Sequence, residues 1–81
     1  MIDKVERDMI VAERALHEPD FLRLIARHRA TLHDEVETYL RRLSTDLVLD
    51  AVTDDRYPVV TIAWHHKGGR LPQETIITVD I

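Results

Sequence analysis

Residues 59–81, VVTIAWHHKGGRLPQETIITVDI, contain the clearest strand pattern in the chain and decide its fold class. Apolar side chains occupy alternate positions in two runs, at Val60, Ile62 and Trp64 and at Ile77, Val79 and Ile81. Alternation with a period of two is typical of a strand with one buried face. Gly68 and Gly69, the only glycines in the chain, lie between the runs and suit a turn with positive φ. The stretch predicts an antiparallel hairpin whose apolar face, including Trp64, packs on helices.

The segment before this hairpin is ambiguous between a helix end and a third strand. Residues 47–52, LVLDAV, are rich in apolar and β-branched side chains, and their period-two set favours a strand. Ser44 and Thr45 suit either a helix N-cap or a turn. The sheet is therefore expected to have two or three strands, and residues 46–52 remain open between helix and strand.

The N-terminal half is predicted to form two helices. From Ile2 to Leu16, apolar residues recur in steps of three and four, which places them on one helix face. Pro19 then ends this helix and suits the first turn of the next one. The second apolar series consists of Phe21, Ile25, Leu32, Val36, Leu40 and Leu43, with His28 in phase. Its regular spacing predicts one uninterrupted helix of about 24 residues and about 36 Å.

Helices that precede an antiparallel sheet indicate an α+β fold. We predict one domain over residues 1–81, in which two N-terminal helices, the second one long, pack on a C-terminal two- or three-stranded antiparallel sheet. A hydrophobic content of 44% and a charged content of 32% suit a folded domain. Because the chain has no cysteine, disulfides and thiolate metal sites are excluded as supports for so small a core. Oligomerisation is the economical alternative.

Composition also restricts the classes of partner. The chain carries 11 Lys and Arg against 15 Asp and Glu, a net charge of −4, which opposes a general attraction to nucleic acid. No apolar run approaches the roughly 20 residues that a membrane span needs. The N-terminal residues are charged from Asp3 onward and show no signal-peptide core. We therefore expect a cytoplasmic protein without a membrane partner.

Five histidines suggest a metal site, but their spacing opposes it. His28 and His33 would point in different directions on a helix, and the adjacent His65 and His66 would lie on opposite faces of a strand. Only His33 with Glu37 has the i,i+4 spacing of two ligands on one helix face. No metal or cofactor is expected, and a histidine-based metal or small-ligand binder is a weaker alternative.

Catalysis is not expected either. A nucleophilic serine needs a neighbouring base, and Ser44, the only serine, has no histidine near it in the sequence. Gly68 and Gly69 lack the spacing and helix context of a phosphate-binding loop. We predict that the protein is not an enzyme.

Arginines of the second predicted helix offer an alternative function in nucleic-acid binding. Arg23 and Arg27 share a helix face, but Asp34 continues the same line. An acidic interruption is unusual in a helix that contacts phosphates. A dimeric nucleic-acid-binding regulator is therefore the second hypothesis, and a solvated, salt-bridged face is favoured.

The leading hypothesis comes from comparing element lengths. Strands of six or seven residues make a sheet about 23 Å long, so a helix of about 36 Å would overhang it and leave apolar side chains uncovered. The terminal strand offers a second surface, at a sheet edge. The sequence therefore favours a non-catalytic protein–protein interaction module, a small regulator, inhibitor or adaptor of a larger protein that acts as a homodimer. The predicted partner-binding residues are Phe21, Ile25, His28, Leu32, Val36, Ile77 and Val79.

Overall fold

The computed structural model describes residues 3–79, in which helices precede an antiparallel sheet. The helices are α1 (Lys4–Ala15), α2 (Pro19–Arg27) and α3 (Leu32–Leu43), and a 3-10 turn at Arg29–Thr31 joins α2 to α3. The strands are β1 (Leu47–Arg56), β2 (Val59–His66) and β3 (Gln73–Thr78), in the order β1-β2-β3. The predicted α+β class is confirmed, and residues 47–52, which the sequence left open between helix and strand, belong to β1. Ile2 and Ile81 of the predicted patterns lie outside the described residues.

A side-chain cap sets the start of α1. Asp3 Oδ1 accepts a hydrogen bond from the Glu6 backbone N–H at 2.8 Å, which satisfies a donor that has no partner within the helix. Ala12 and Leu16 on the inner face are completely buried. Ile10 and Val11 lie outside that face and are 44% and 43% exposed. The helix therefore covers the core with one face and leaves two large aliphatic side chains in solvent.

The predicted long helix is instead two shorter helices. The break falls at His28, where the backbone leaves the helical region (φ −120°, ψ 39°), although neither glycine nor proline is present. Arg29 then reaches the β1–β2 hairpin, where its Nε donates to Asp54 Oδ2 at 3.4 Å. Its guanidinium lies 3.9 Å from the centre of the Tyr57 ring. These contacts hold the turn against the sheet.

Breaking the helix removes the overhang on which the self-association hypothesis depended. α3 has 12 residues, which corresponds to about 18 Å and fits on the sheet. Its buried residues, Leu32, Val36 and Leu40, continue the apolar series that begins with the buried Phe21 and Ile25 of α2. The apolar stripe is thus folded onto the chain's own sheet.

The β1–β2 hairpin is longer than the sequence predicts. β1 continues beyond residues 47–52 to Arg56, and only Tyr57 and Pro58 form the turn to β2. Register shifts follow Leu49 and Thr53 in the pairing of β1 with β2. Irregularities of this kind bend a strand and increase its twist.

The connection between β2 and β3 corrects the expectation for the glycines. Neither Gly68 nor Gly69 has positive φ. Gly68 is needed because of close approach, since a Cβ at this position would lie 2.9 Å from Val5 Cγ2 on α1. Any larger residue would push this loop away from α1.

Helices cover one face of the sheet only. Val60, Ile62 and Trp64 of β2 are 0–1% exposed and point toward the helices, as predicted. Tyr39 packs beside this core, and its hydroxyl donates to the Ala15 carbonyl at 3.4 Å. Burial raises the pKa of the Tyr39 hydroxyl, with a smaller contribution from nearby carboxylates.

In residues 3–79, no helix has the length and hydrophobicity that a membrane crossing requires.

Candidate functional site

Most of the predicted partner-binding residues lie in the core of the chain itself. Their exposed fractions are between 0% and 6% for Phe21, Ile25, Leu32, Val36, Ile77 and Val79. His28 is exposed, because the helix break turns it away from the core, and its Nδ1 lies 4.0 Å from Glu35 Oε1. The buried six stabilise the fold, so a surface that a partner can reach must consist of other residues.

The uncovered side of the sheet provides such a surface. We call it the open sheet face and define it by Ala51, Thr53, Val59, Thr61, Ala63, Ile76 and Thr78. In the register, Thr61 lies between Thr53 and Ile76, and Val59 pairs with Thr78. Ile76 is 60% exposed and Val59 is 38% exposed. None of the seven side chains carries a charge, but two charged residues flank them on the same side of the sheet, where Arg56 pairs with Val59 and Glu74 pairs with Ala63.

Polar groups border this face at one end. His65 Nδ1 lies 2.9 Å from each carboxylate oxygen of Asp50, which the first irregularity in β1 places beside it. Glu74 pairs with Ala63 at the start of β3. The rest of the face consists of alanine, threonine and aliphatic side chains, which are compatible with packing against a second sheet.

A second candidate site is the α1–β3 groove, a depression of about 610 Å³ between α1 and the start of β3. Apolar side chains form one part of it and carboxylates another. The lining residues are Asp3, Val5, Glu6, Met9, Ile10, Glu13, Trp64, Gln73 and Glu74. No basic residue of the described range lines the groove, so these residues combine an apolar surface with negative charge.

A polar cluster joins α1 to the loops at the end of the sheet. Asp8 Oδ2 accepts hydrogen bonds from Ser44 Oγ at 3.0 Å and from His66 Nε2 at 2.9 Å. The Gly68 backbone N–H donates to His66 Nδ1 at 2.9 Å. Since an N–H can only donate, Nδ1 must accept, which assigns the ring proton of His66 to Nε2. Both ring nitrogens of this buried histidine are therefore used within the chain.

The order of groups in this cluster opposes catalysis. A serine nucleophile needs a base that accepts its proton, and that base is usually a histidine oriented by a carboxylate. Here the carboxylate of Asp8 lies in the middle, and the Ser44 hydroxyl donates to it. His66 has no free nitrogen for a substrate. The cluster attaches α1 to the start of β1 and to the end of β2. That the protein is not an enzyme remains a prediction.

The same cluster contains the donor set that comes nearest to a metal site among residues 3–79. Ligand atoms of Asp8, Asp46 and His66 all lie within 4.8 Å of one another. However, a metal at Nε2 would move the ring proton to Nδ1, where it would face the Gly68 N–H. Lys4 Nζ already pairs with Asp46 at 3.3 Å. The geometry fits a metal ion poorly, and the expectation of no metal or cofactor remains a prediction.

Stability in acid should depend on Asp8. The hydrogen bond from His66 holds the pKa of this carboxyl below its ordinary value of 3.8; partial burial opposes that effect, and Ser44 adds to it. Between the pKa of Asp8 in the folded chain and its higher pKa of 3.8 in the unfolded chain, the unfolded chain binds more protons. The contribution of Asp8 to folding stability is therefore complete above pH 3.8 and is lost as the pH falls through the folded-state pKa. We expect Asp8→Asn to flatten the acid limb of thermal stability measured against pH.

Asp55→Asn is the matched control for this measurement, because it removes an exposed carboxylate that makes no hydrogen bond among the described residues. Its acid limb should follow that of the wild type. Equal acid limbs for Asp8→Asn and the wild type would contradict the assigned role of Asp8.

Three arginines of the second predicted helix, Arg23, Arg29 and Arg41, have acidic partners, whereas Arg27 has none among residues 3–79. Arg23 pairs with Asp20, and Arg41 pairs with Glu37. Arg29 is engaged with the β1–β2 hairpin. Glu37 is thereby used in an ion pair with Arg41 and is not joined to His33, whose Nδ1 lies 3.9 Å from Asp34. Neither a basic surface nor a ligand pair at His33 is assembled by these contacts.

Comparisons with protein-family models, with curated proteins and with solved structures find no match to this chain. The functional assignment below is therefore argued from the geometry of the open sheet face and of the α1–β3 groove.

Proposed function

We propose that this protein is a non-catalytic protein–protein interaction module that pairs with a second copy of itself through the open sheet face. The observation that carries the proposal is the exposure of Ile76 and Val59 on a sheet face whose seven defining residues are uncharged. Three strands with one uncovered face commonly pack against another sheet about 10 Å away. The helices, which the sequence favoured as the dimer surface, are not used.

Charge supports a second copy as the occupant. Two chains that each carry a net charge of −4 repel one another over most orientations. The seven residues of the open sheet face are uncharged, and the Glu74 and Arg56 that flank them have opposite signs, so two copies meet less repulsion there than over the acidic remainder of the surface. Alanine and threonine side chains also leave room for the larger Ile76 and Val59 of a facing sheet.

The size of the face predicts a weak dimer. Three strands spaced about 4.8 Å apart, over about eight residues at 3.3 Å each, give a face of about 14 by 26 Å. Two such footprints total about 730 Å², which is below the range of stable specific interfaces, so the area allows only a weak and transient contact. We expect monomer and dimer to exchange, which suits a small cytoplasmic regulator, inhibitor or adaptor of a larger protein.

A single charge on the face should test the proposal. Ile76→Glu places two carboxylates, one from each copy, in the dry centre of the interface, and we expect dimer affinity to fall at least about tenfold. Size-exclusion chromatography with light scattering measures the change in mass. Because Ile76 is 60% exposed, the fold itself should tolerate the substitution.

Leu71→Glu is the matched control, since Leu71 is 72% exposed and lies in the loop between β2 and β3, off the open sheet face. It adds the same charge at another exposed aliphatic position and should leave the dimer intact. A wild-type mass for Ile76→Glu, or an equal loss with both variants, would rule out this face as the interface.

A further inference from the structure

The α1–β3 groove has a different chemistry from the open sheet face, which it approaches at Glu74, the residue that pairs with Ala63. Trp64, Met9 and Ile10 give it an apolar surface, and Ile10 is 44% exposed. Trp64 is itself almost completely buried, so it contributes to the floor of the groove. The groove remains open to solvent between α1 and an edge strand of the sheet. It is large enough for several side chains of a partner.

Carboxylates surround this apolar surface. Among residues 3–79, four acidic residues and no basic residue line the groove; the four are Asp3, Glu6, Glu13 and Glu74. Neither Glu6 nor Glu74 makes an ion pair with another residue in the 3–79 range. Their negative charge is therefore available to a cationic ligand.

One of these carboxylates is held in place by a buried hydrogen-bond chain. Trp64 Nε1–H donates to Thr75 Oγ1 at 3.0 Å, and the Thr75 hydroxyl donates to Glu13 Oε2 at 2.7 Å. The other oxygen of Glu13 lies 3.3 Å from His17 Nε2. Since Thr75 is 1% exposed, this chain fixes Glu13 at the groove before any ligand arrives, and a fixed charge costs less entropy on binding.

We propose that the α1–β3 groove binds a basic amphipathic segment of another protein, with lysine or arginine side chains at the carboxylates and aliphatic side chains on Met9 and Ile10. Charge complementarity selects a cationic partner. The apolar floor selects a polypeptide segment over a simple polyamine, which would leave that floor uncovered. This proposal goes beyond self-association, because it assigns a second surface and the class of partner that it takes.

The groove can be tested with a designed leucine–lysine peptide whose residues have helical amphipathic spacing. Binding is measured by calorimetry and by the emission of Trp64, the only tryptophan in the chain. We expect saturable binding that weakens as salt is added. A leucine–glutamate peptide of the same spacing should not bind, and spermidine should bind much more weakly than the peptide.

Charge reversal in the groove identifies the site. Glu6→Lys plus Glu74→Lys should weaken binding by at least about tenfold, and the milder Glu6→Gln plus Glu74→Gln should act in the same direction if the reversal perturbs folding. The control is Asp34→Lys plus Asp55→Lys, which makes the same change in net charge at exposed positions outside the groove. That control should bind within about twofold of the wild type.

Three results would overturn the proposal. They are equal affinity for groove and control variants, equal affinity for the acidic peptide, and spermidine binding as tight as that of the basic peptide. Binding should persist in Ile76→Glu, because the open sheet face is not involved. If Ile76→Glu loses the dimer but still binds the peptide, the two proposals are shown to be independent, so that either can fail without the other.

Discussion

Phe21→Ala should lower the free energy of unfolding by about 3–5 kcal/mol, the largest effect that we expect from any single substitution. Phe21 is completely buried, and its ring centroid lies 4.4 Å from that of Tyr39. Truncation would remove this contact and leave a cavity between α2 and α3. Because a chain of 81 residues has a total stability of about 4–12 kcal/mol, the variant would lose much of its folded population.

Urea unfolding followed by circular dichroism measures this loss, and Ile10→Ala serves as the control. Ile10 is an aliphatic side chain that is 44% exposed, so its truncation should change stability by no more than about 0.5 kcal/mol. The comparison also separates two roles for Phe21. Wild-type stability combined with weakened self-association would show that Phe21 contacts a partner, as the sequence suggested, and would contradict its place in the core.

His66→Leu should destabilise the protein by about 1–3 kcal/mol, because a buried side chain with two hydrogen bonds is replaced by one with none. His66 is 2% exposed, and leucine has a similar volume, so the loss of packing should be small. The substitution leaves the Gly68 N–H without its acceptor and Asp8 without the donor from β2. The attachment of α1 to the end of β2 should loosen as a result.

His65→Leu is a closely matched control, since the neighbouring residue faces the opposite side of the sheet. His65 pairs with Asp50 at a partly exposed position, where an ion pair contributes no more than about 1 kcal/mol. Thermal unfolding of the two variants should therefore differ clearly. Equal melting temperatures would show that the Asp8–His66 contact does not stabilise the fold.

The sequence was sufficient for the strands because their period-two pattern coincides with burial. Val60, Ile62 and Trp64 alternate with exposed or half-buried neighbours, and the structure buries all three. The helix break was not predictable in the same way. The apolar spacing continues across His28, and no glycine or proline marks the break. The contacts of Arg29 that accompany the turn are with Asp54 and Tyr57, which are distant in the sequence.

The polar cluster escaped sequence reasoning because its members are far apart along the chain. Asp8 lies 58 residues from His66 and 36 residues from Ser44. No local spacing reports such a contact, whereas the i,i+4 spacing of His33 and Glu37 suggested a pair that the structure does not form. Only the opposite orientations of His65 and His66 could be read from adjacency.

Candidate surfaces were predicted least well, because exposure depends on which face of each element the fold covers. In the sequence, the helix faces with Phe21 and Val36 look as apolar as an exposed hydrophobic patch would. Their burial became evident only in the structure, where the helices are short enough to be covered within the fold. The sequence placed both Ile76 and Ile77 in a strand but did not show which of the two faces solvent. The structure buries Ile77 and exposes Ile76. The acidic groove needed the juxtaposition of α1 with β3, which the residue spacing does not contain.

Sedimentation equilibrium of the wild-type chain over a wide range of concentrations tests the central claim most directly. The open sheet face predicts that the apparent mass rises with concentration from 9.5 kDa toward twice that value. A mass that remained at 9.5 kDa up to the highest concentration reached would contradict self-association through this face.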